Sequence, residues 1–262
     1  GNITTIEKLE GINNSDKWTF ESVNPVIGNL QTLGNDITVN QWFNTSSVNI
    51  TSNISDDSGI YKVSYKVDDS ESYTDISVGL GMAGVKTLNY EFAKTITGDG
   101  NHTLALLVTD NAMNTTIKNI SFNIDTSLPT IASVTGNPVA WQNIDATLTV
   151  NASDIGSGLD ETPYSFDGGL SWQADNTKTY SVNQTIAANT IKVKDVAGNI
   201  QSYSDANYIT KIDKTNPNDP TIEIAEDIPS NDWYTMYPTI EIITPIFVSS
   251  TASETTYYKL WN

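Results

Sequence analysis

The sequence predicts an all-β chain built from repeated sandwich modules, and three observations carry that expectation. Thr, Ser, Asn, Ile and Val dominate the composition, while the good helix formers Ala, Leu, Arg and Gln are sparse. Branched and small polar side chains suit half-buried pleated surfaces and the turns between them. Apolar and polar residues alternate in several short runs, which is the period of a strand with one buried face. The same landmarks then recur in the same order along the chain, as they do in repeated units.

The first landmark is a linker frame of apolar residue, acid, three residues and proline. It occurs as Phe20-Glu21-Ser22-Val23-Asn24-Pro25, Ile124-Asp125-Thr126-Ser127-Leu128-Pro129 and Ile212-Asp213-Lys214-Thr215-Asn216-Pro217. Proline cannot donate to a ladder and restricts the residue before it, so each frame ends one strand and opens another extended segment. The second is a tryptophan ahead of an alternating strand: Trp42 before Ser47–Thr51, Trp141 before Ala146–Val150, and Trp233 before Thr239–Ile242. An acidic turn follows in the first two copies, Ser55-Asp56-Asp57-Ser58-Gly59 and Ser153-Asp154-Ile155-Gly156-Ser157-Gly158, whereas the third has Ser250–Glu254 with neither Asp nor Gly. The third landmark is a late hairpin, Val108-Thr109-Asp110-Asn111-Ala112-Met113-Asn114 and Val193-Lys194-Asp195-Val196-Ala197-Gly198-Asn199. Its Asp and Asn residues bond to nearby backbone and tolerate left-handed conformations.

These frames divide the 262 residues. Residues 1–21 are expected to supply the terminal strand of a preceding module, 22–126 and 127–214 to be complete modules, and 215–262 to open another. Gly1-Asn2-Ile3 repeats Gly198-Asn199-Ile200, so the chain is expected to be a segment of a longer protein. Short proline-bearing linkers predict modules that touch only their neighbours, in an elongated array.

The succession Ser153-Asp154-Ile155-Gly156-Ser157-Gly158, Tyr164 to Trp172 through Gly168-Gly169, Val193 to Asn199, and Ile212 to Pro217 resembles bacterial immunoglobulin-like repeats. Such repeats are strung along surface adhesins, S-layer-type proteins and large secreted enzymes. The first module departs from the pattern at Met113, where the repeat has Gly, and at Asp68-Asp69, which replaces the Gly-Gly hairpin. The resemblance implies tandem immunoglobulin-like β-sandwiches in an extracellular or cell-surface (cell wall) setting. It also implies a non-catalytic spacer role, presenting a binding or catalytic head. Two alternatives stand beside it: an adhesive module that binds glycan or a host surface protein, and accessory domains of an extracellular glycosidase or protease.

Composition limits the partners. With 31 acidic residues against 13 basic ones, the net charge of −18 leaves no basic face to displace counterions from phosphates, so no nucleic-acid partner is expected. No apolar run approaches the roughly 18 residues of a membrane span, so no membrane insertion is expected either. There is no cysteine to form disulfides. The single histidine, His102, has no thiol partner, no Gly-x-Ser-x-Gly elbow is present, and the carboxylates repeat with the modules. His102 is expected in a surface turn, and no catalytic site is predicted.

The acids offer one sharper expectation. In an immunoglobulin-like topology the second-to-third and sixth-to-seventh strand connections share a pole with the entering chain. Glu21, Asp56, Asp57 and Asp110 would then converge at one pole, and Asp125, Asp154 and Asp195 at another. Calcium takes six to eight hard oxygen ligands, which such a set could supply with backbone carbonyls and water. The same residues could equally cap turns by accepting backbone N–H groups, with no cofactor at all. Asp213 retains the linker acid, but the turn it would need is missing. Trp42, Trp141 and Trp233 are expected to plug the module ends. Trp18, Trp172 and Trp261 are the places where a sugar ring could stack. A glycine-bearing insertion across residues 70–100, with Gly79, Gly81 and Gly84, is the candidate binding loop.

Overall fold

The computed structural model describes residues 3–6, 18–76, 87–205, 207–219, 221–224 and 240–243, and among them every regular element is a strand. β1 (Ile3–Ile6) and β2 (Trp18–Glu21) pair antiparallel, with Ile3 opposite Glu21. Ten strands follow: β3 (Val26–Ile27), β4 (Gln31–Thr32), β5 (Asn35–Asp36), β6 (Gln41–Phe43), β7 (Ser47–Ser55), β8 (Ile60–Val67), β9 (Thr74–Asp75), β10 (Asn89–Thr97), β11 (Gly100–Asp110) and β12 (Thr115–Ile124). They make two sheets, one in the order β10-β7-β4-β5 with β3 also on β7, the other in the order β6-β12-β11-β8-β9. This two-sheet arrangement, with β6 parallel to β12 and the remaining pairs antiparallel, is an immunoglobulin-like sandwich.

Alternation decides which residues meet between the sheets. β7 sends Val48, Ile50, Ser52 and Ile54 inward, and β11 sends His102, Leu104, Leu106, Val108 and Asp110 inward. Phe92 and Ile96 of β10, Val63 of β8, and Ile120, Phe122 and Ile124 of β12 complete the core. Each apolar side chain among them contributes about 1.5–3 kcal/mol on leaving water. The same even-numbered face of β11 thus carries an apolar centre with a polar group at either end. His102 is 8% exposed. It is a core-edge residue and not the surface-turn histidine the sequence suggested, because the run Leu104–Val108 masks the strand's alternation.

Later strands are β13 (Thr130–Thr135), β14 (Ala146–Ser153), β15 (Leu159–Ser165), β16 (Thr177–Tyr180), β17 (Thr185–Ile186), β18 (Lys192–Asp195), β19 (Ile200–Ser202), β20 (Tyr208–Ile209), β21 (Thr221–Ile224) and β22 (Ile240–Ile243). The chain clusters into two compact units, Gly1–Thr130 with Ala152–Pro163 and Val193–Gln201, and Ile131–Asn151 with Tyr164–Lys192 and Ser202–Asn262. The first unit holds the ten-strand sandwich and most of the sheet β15-β18-β19. The second holds β14 paired with β16, β17 with β20 and β21 with β22, and its buried side chains include Val134, Leu148, Val150, Tyr180, Ile186, Ile191 and Ile212. Trp233, residues 250–254, Trp261, Gly79, Gly81 and Gly84 lie outside the described residues, as does the side chain of Trp18.

The β11–β12 turn carries a local conflict. Met113 has φ +70°, where the equivalent Gly198 has φ +94°. A side chain in the left-handed region costs about 1–2 kcal/mol, and Met113 is exposed, with little packing to offset that cost. Met113→Gly is expected to stabilise the chain by about 1 kcal/mol after the added flexibility of the unfolded glycine is counted. Urea denaturation checks it, and a variant less stable than the parent would contradict the strain.

Candidate functional site

Two groups of carboxylates stand out, both within the first unit. One brings together Glu21, Asp56 and Asp110; the other brings together Asp125, Asp154 and Asp195. In each group one oxygen from every residue lies within 4.8 Å of the other two. Strand parity explains part of the choice. Asp56 continues the inward face of β7 and Asp154 that of β14, while Asp110 and Asp195 end the inward faces of β11 and β18. Asp57 falls on the opposite parity, is exposed, and is not among the three residues brought together.

The strand-end acids are held from several sides. Asp110 Oδ1 accepts from the amides of Ala112 and Asn114, both at 2.8 Å, and Oδ2 accepts from Asn114 Nδ2 at 2.8 Å. Asp195 Oδ1 accepts from the amides of Gly198 and Asn199, both at 2.7 Å, and Oδ2 from Asn199 Nδ2 at 2.8 Å. Both aspartates are buried, at 0% and 1% exposure. The asparagine amide reaches further in each copy: Asn114 Nδ2 to the Glu21 carbonyl at 3.4 Å, and Asn199 Nδ2 to the Asp125 carbonyl at 2.9 Å. These asparagines therefore tie the linker backbone to the strand-end acid. The sequence marked them only as turn formers, although their recurrence four residues after the aspartate was the visible signal.

The two groups differ at the turn that follows β7 in one and β14 in the other. In the first, Asp56 Oδ1 accepts from Ser58 N, Ser58 Oγ and Gly59 N, so the turn closes on its own acid. In the second, Gly158 N donates to Asp154 Oδ2, while Ser157 N reaches the linker acid, Asp125 Oδ2, at 2.6 Å. Ser127 N holds Asp125 Oδ1 at 3.0 Å. Burial pushes the Asp125 carboxyl up, but the hydrogen bonds from Ser157 and Ser127 outweigh it and hold the group below the usual carboxylate value. Beside it, Asp99 accepts from the amide and hydroxyl of Thr126, fastening the linker to the β10–β11 turn. A cleft of about 610 Å³ opens here, lined by Trp42, Asp99, Asp125, Leu128, Asp154 and Ile155.

Other expected residues fall elsewhere. Trp141 is 39% exposed and Trp42 half-buried, so neither is the enclosed plug the repeat suggested. In each copy the backbone bond from the linker acid falls on the residue after the tryptophan, Asp125 N to Phe43 O and Asp213 N to Gln142 O. Asp213 Oδ1 accepts from Thr215 N, the same local turn that Asp125 makes with Ser127. Trp172 is partly exposed.

No protein-family model matches the chain, and no curated protein does. Among solved structures, the chain is similar to the fibronectin(III)-like modules of Clostridium thermocellum CbhA, at 15% identity and a TM-score of 0.40, over 70% of this chain and 94% of that one.

Proposed function

We propose that the chain is a non-catalytic structural segment of an extracellular or cell-surface protein. Its immunoglobulin-like modules, 22–126 and 127–214, serve as spacers, and a divalent cation of calcium type stiffens each acid-bearing linker. The observation that carries this reading is recurrence. Two separate stretches of sequence build the same arrangement of linker acid, post-strand acid and strand-end acid, with the same asparagine tying linker to strand. Turn-capping alone accounts for one oxygen of Asp56 and of Asp154, but it does not require three acids to face one another. At 4.8 Å, two unit negative charges repel by about 3 kcal/mol at an effective dielectric near 20. A shared cation turns that repulsion into attraction, and hard oxygen donors with room for carbonyls and water suit calcium.

Thermal unfolding of the 262-residue chain, first in chelator and then with added calcium or magnesium, tests the reading. A ligand that binds only the folded state contributes about 2.7 kcal/mol at a hundred times its Kd. Calcium is therefore expected to raise the midpoint by several degrees at millimolar concentration. An unchanged midpoint in calcium would sink the cation and leave the acids as turn caps.

A further inference from the structure

The outer face of the sheet β6-β12-β11-β8-β9 carries a trough of about 510 Å³ that shares no residue with either carboxylate group. Register makes it. The even positions of β11 turn inward, so Thr103 and Ala105 turn out. Ala105 stands opposite Lys66 of β8 on one side and Asn119 of β12 on the other. A methyl group between two longer side chains leaves a gap two strand spacings wide, roughly 10 Å between the flanking backbones. Thr103, Asp68 and the exposed Val39 close one end. Such a volume lies within the range of small-molecule sites, about 300–1,000 Å³.

The polar groups around the trough are held in place, yet two of them have no polar partner in the protein. Lys66 Nζ lies 5.9 Å from the centre of the Tyr73 ring and, among the described residues, has no carboxylate beside it. Neighbouring lysines differ: Lys62 is paired with Asp75 at 2.8 Å, and Lys118 donates to the Gly28 carbonyl at 2.8 Å. The Asn119 side chain likewise has no hydrogen-bond partner among the described residues. Asp68 is fixed through Thr103, whose amide donates to Oδ1 at 2.8 Å and whose carbonyl accepts from the Asp68 amide at 2.9 Å. On a chain of net charge −18, the trough is lined by one ammonium and one carboxylate, so its own charge cancels.

We infer that this trough is a binding site for a neutral saccharide, with one sugar ring seated on Ala105 between Lys66 and Asn119. A sugar hydroxyl both donates and accepts, and the trough answers both: Lys66 donates, Asp68 accepts, and the Asn119 amide does either. The Ala105 methyl and Val39 meet the C–H face of the ring. Other ligands fit less well. An anion would approach against the field of the chain's net charge of −18. A nucleobase finds no aromatic ring among the lining residues to stack on. An extended peptide finds no ladder to join, because β11 at the floor is paired on both sides. The flanking side chains stand on paired strands, which places their polar groups before the ligand arrives.

Titration of the nitrogen-15-labelled 262-residue chain with cellohexaose, xylohexaose and mannohexaose, each in chelator, tests the site independently of any cation. At millimolar concentration at least one of these sugars is expected to shift the amide signals of Thr103, Ala105 and Asn119 selectively. Ala105→Phe, which fills the floor, should abolish the response. Lys66→Gln and Asn119→Ala, both on the solvent side of the sheet, should each weaken binding about tenfold and leave the chain folded. They carry the test if the phenylalanine variant does not fold. No response to any of the neutral sugars overturns the inference. So does a response that survives all the variants, or trough signals that move only with trigalacturonate or with a proline-rich peptide.

Discussion

Asp195→Ala is expected to cost the folded chain about 4 kcal/mol, measured by denaturant unfolding in the presence of chelator. The carboxylate is 1% exposed and accepts from three donors, the amides of Gly198 and Asn199 and the side-chain amide of Asn199. Truncation leaves those donors facing a small void, and a buried donor without a partner costs about 1–3 kcal/mol. It also frees Asn199, whose other contact is the Asp125 carbonyl, so the linker loses its tie to β18. Asp195→Asn separates these effects from cation binding. Its carbonyl can still accept from the Gly198 and Asn199 amides, but its NH2 meets the Asn199 NH2, donor against donor. A loss of about 1–2 kcal/mol is expected in chelator, together with a markedly smaller response to calcium. If the asparagine variant responds to calcium as the parent does, Asp195 is a turn cap and nothing more.

What the sequence made legible follows strand parity and repetition. Val48, Ile50 and Ile54 alternate in plain view, and the inner face of β7 follows from them. The recurrence of acids at three fixed places was enough to bring Glu21 to Asp56 and Asp110, and Asp125 to Asp154 and Asp195. Parity would also have chosen Asp56 over Asp57, had the alternation of β7 been carried two residues past its end. Less was legible where apolar residues sit on both faces of a strand. Leu107 is half-buried on the outer side of β11, and its presence between Leu106 and Val108 conceals that His102 and Asp110 share the inner face. Contacts between distant turns were not legible at all. The bonds from Asp68 to His102 and from Asp99 to Thr126 join residues about 30 positions apart, and no local pattern encodes them.

A one-residue difference between the two acidic turns has the most specific consequence. From Asp56 the turn reaches its serine in two steps, whereas from Asp154 it takes three, through Ile155 and Gly156. The longer turn carries Ser157 N past its own acid to the linker carboxylate and lays Gly156 flat against that group. A Cβ placed on Gly156 would lie 2.3 Å from Asp125 Oδ2 and 2.4 Å from both Cγ and Oδ1. A flexible side chain could yield to such a contact, but Asp125 is 1% exposed and pinned by Ser127 N and Ser157 N. Moving it would break both bonds of a buried carboxylate. Gly156→Ala is therefore expected to destabilise the chain by about 3 kcal/mol and to remove the calcium response of the second carboxylate group, leaving that of the first. Ile155→Ala is the matching control, since Ile155 is fully exposed in the same turn and should change neither quantity. If Gly156→Ala unfolds at the parent's denaturant midpoint, Asp125 has somewhere else to go, and the linker acid is not the fixed corner on which the proposed cation depends.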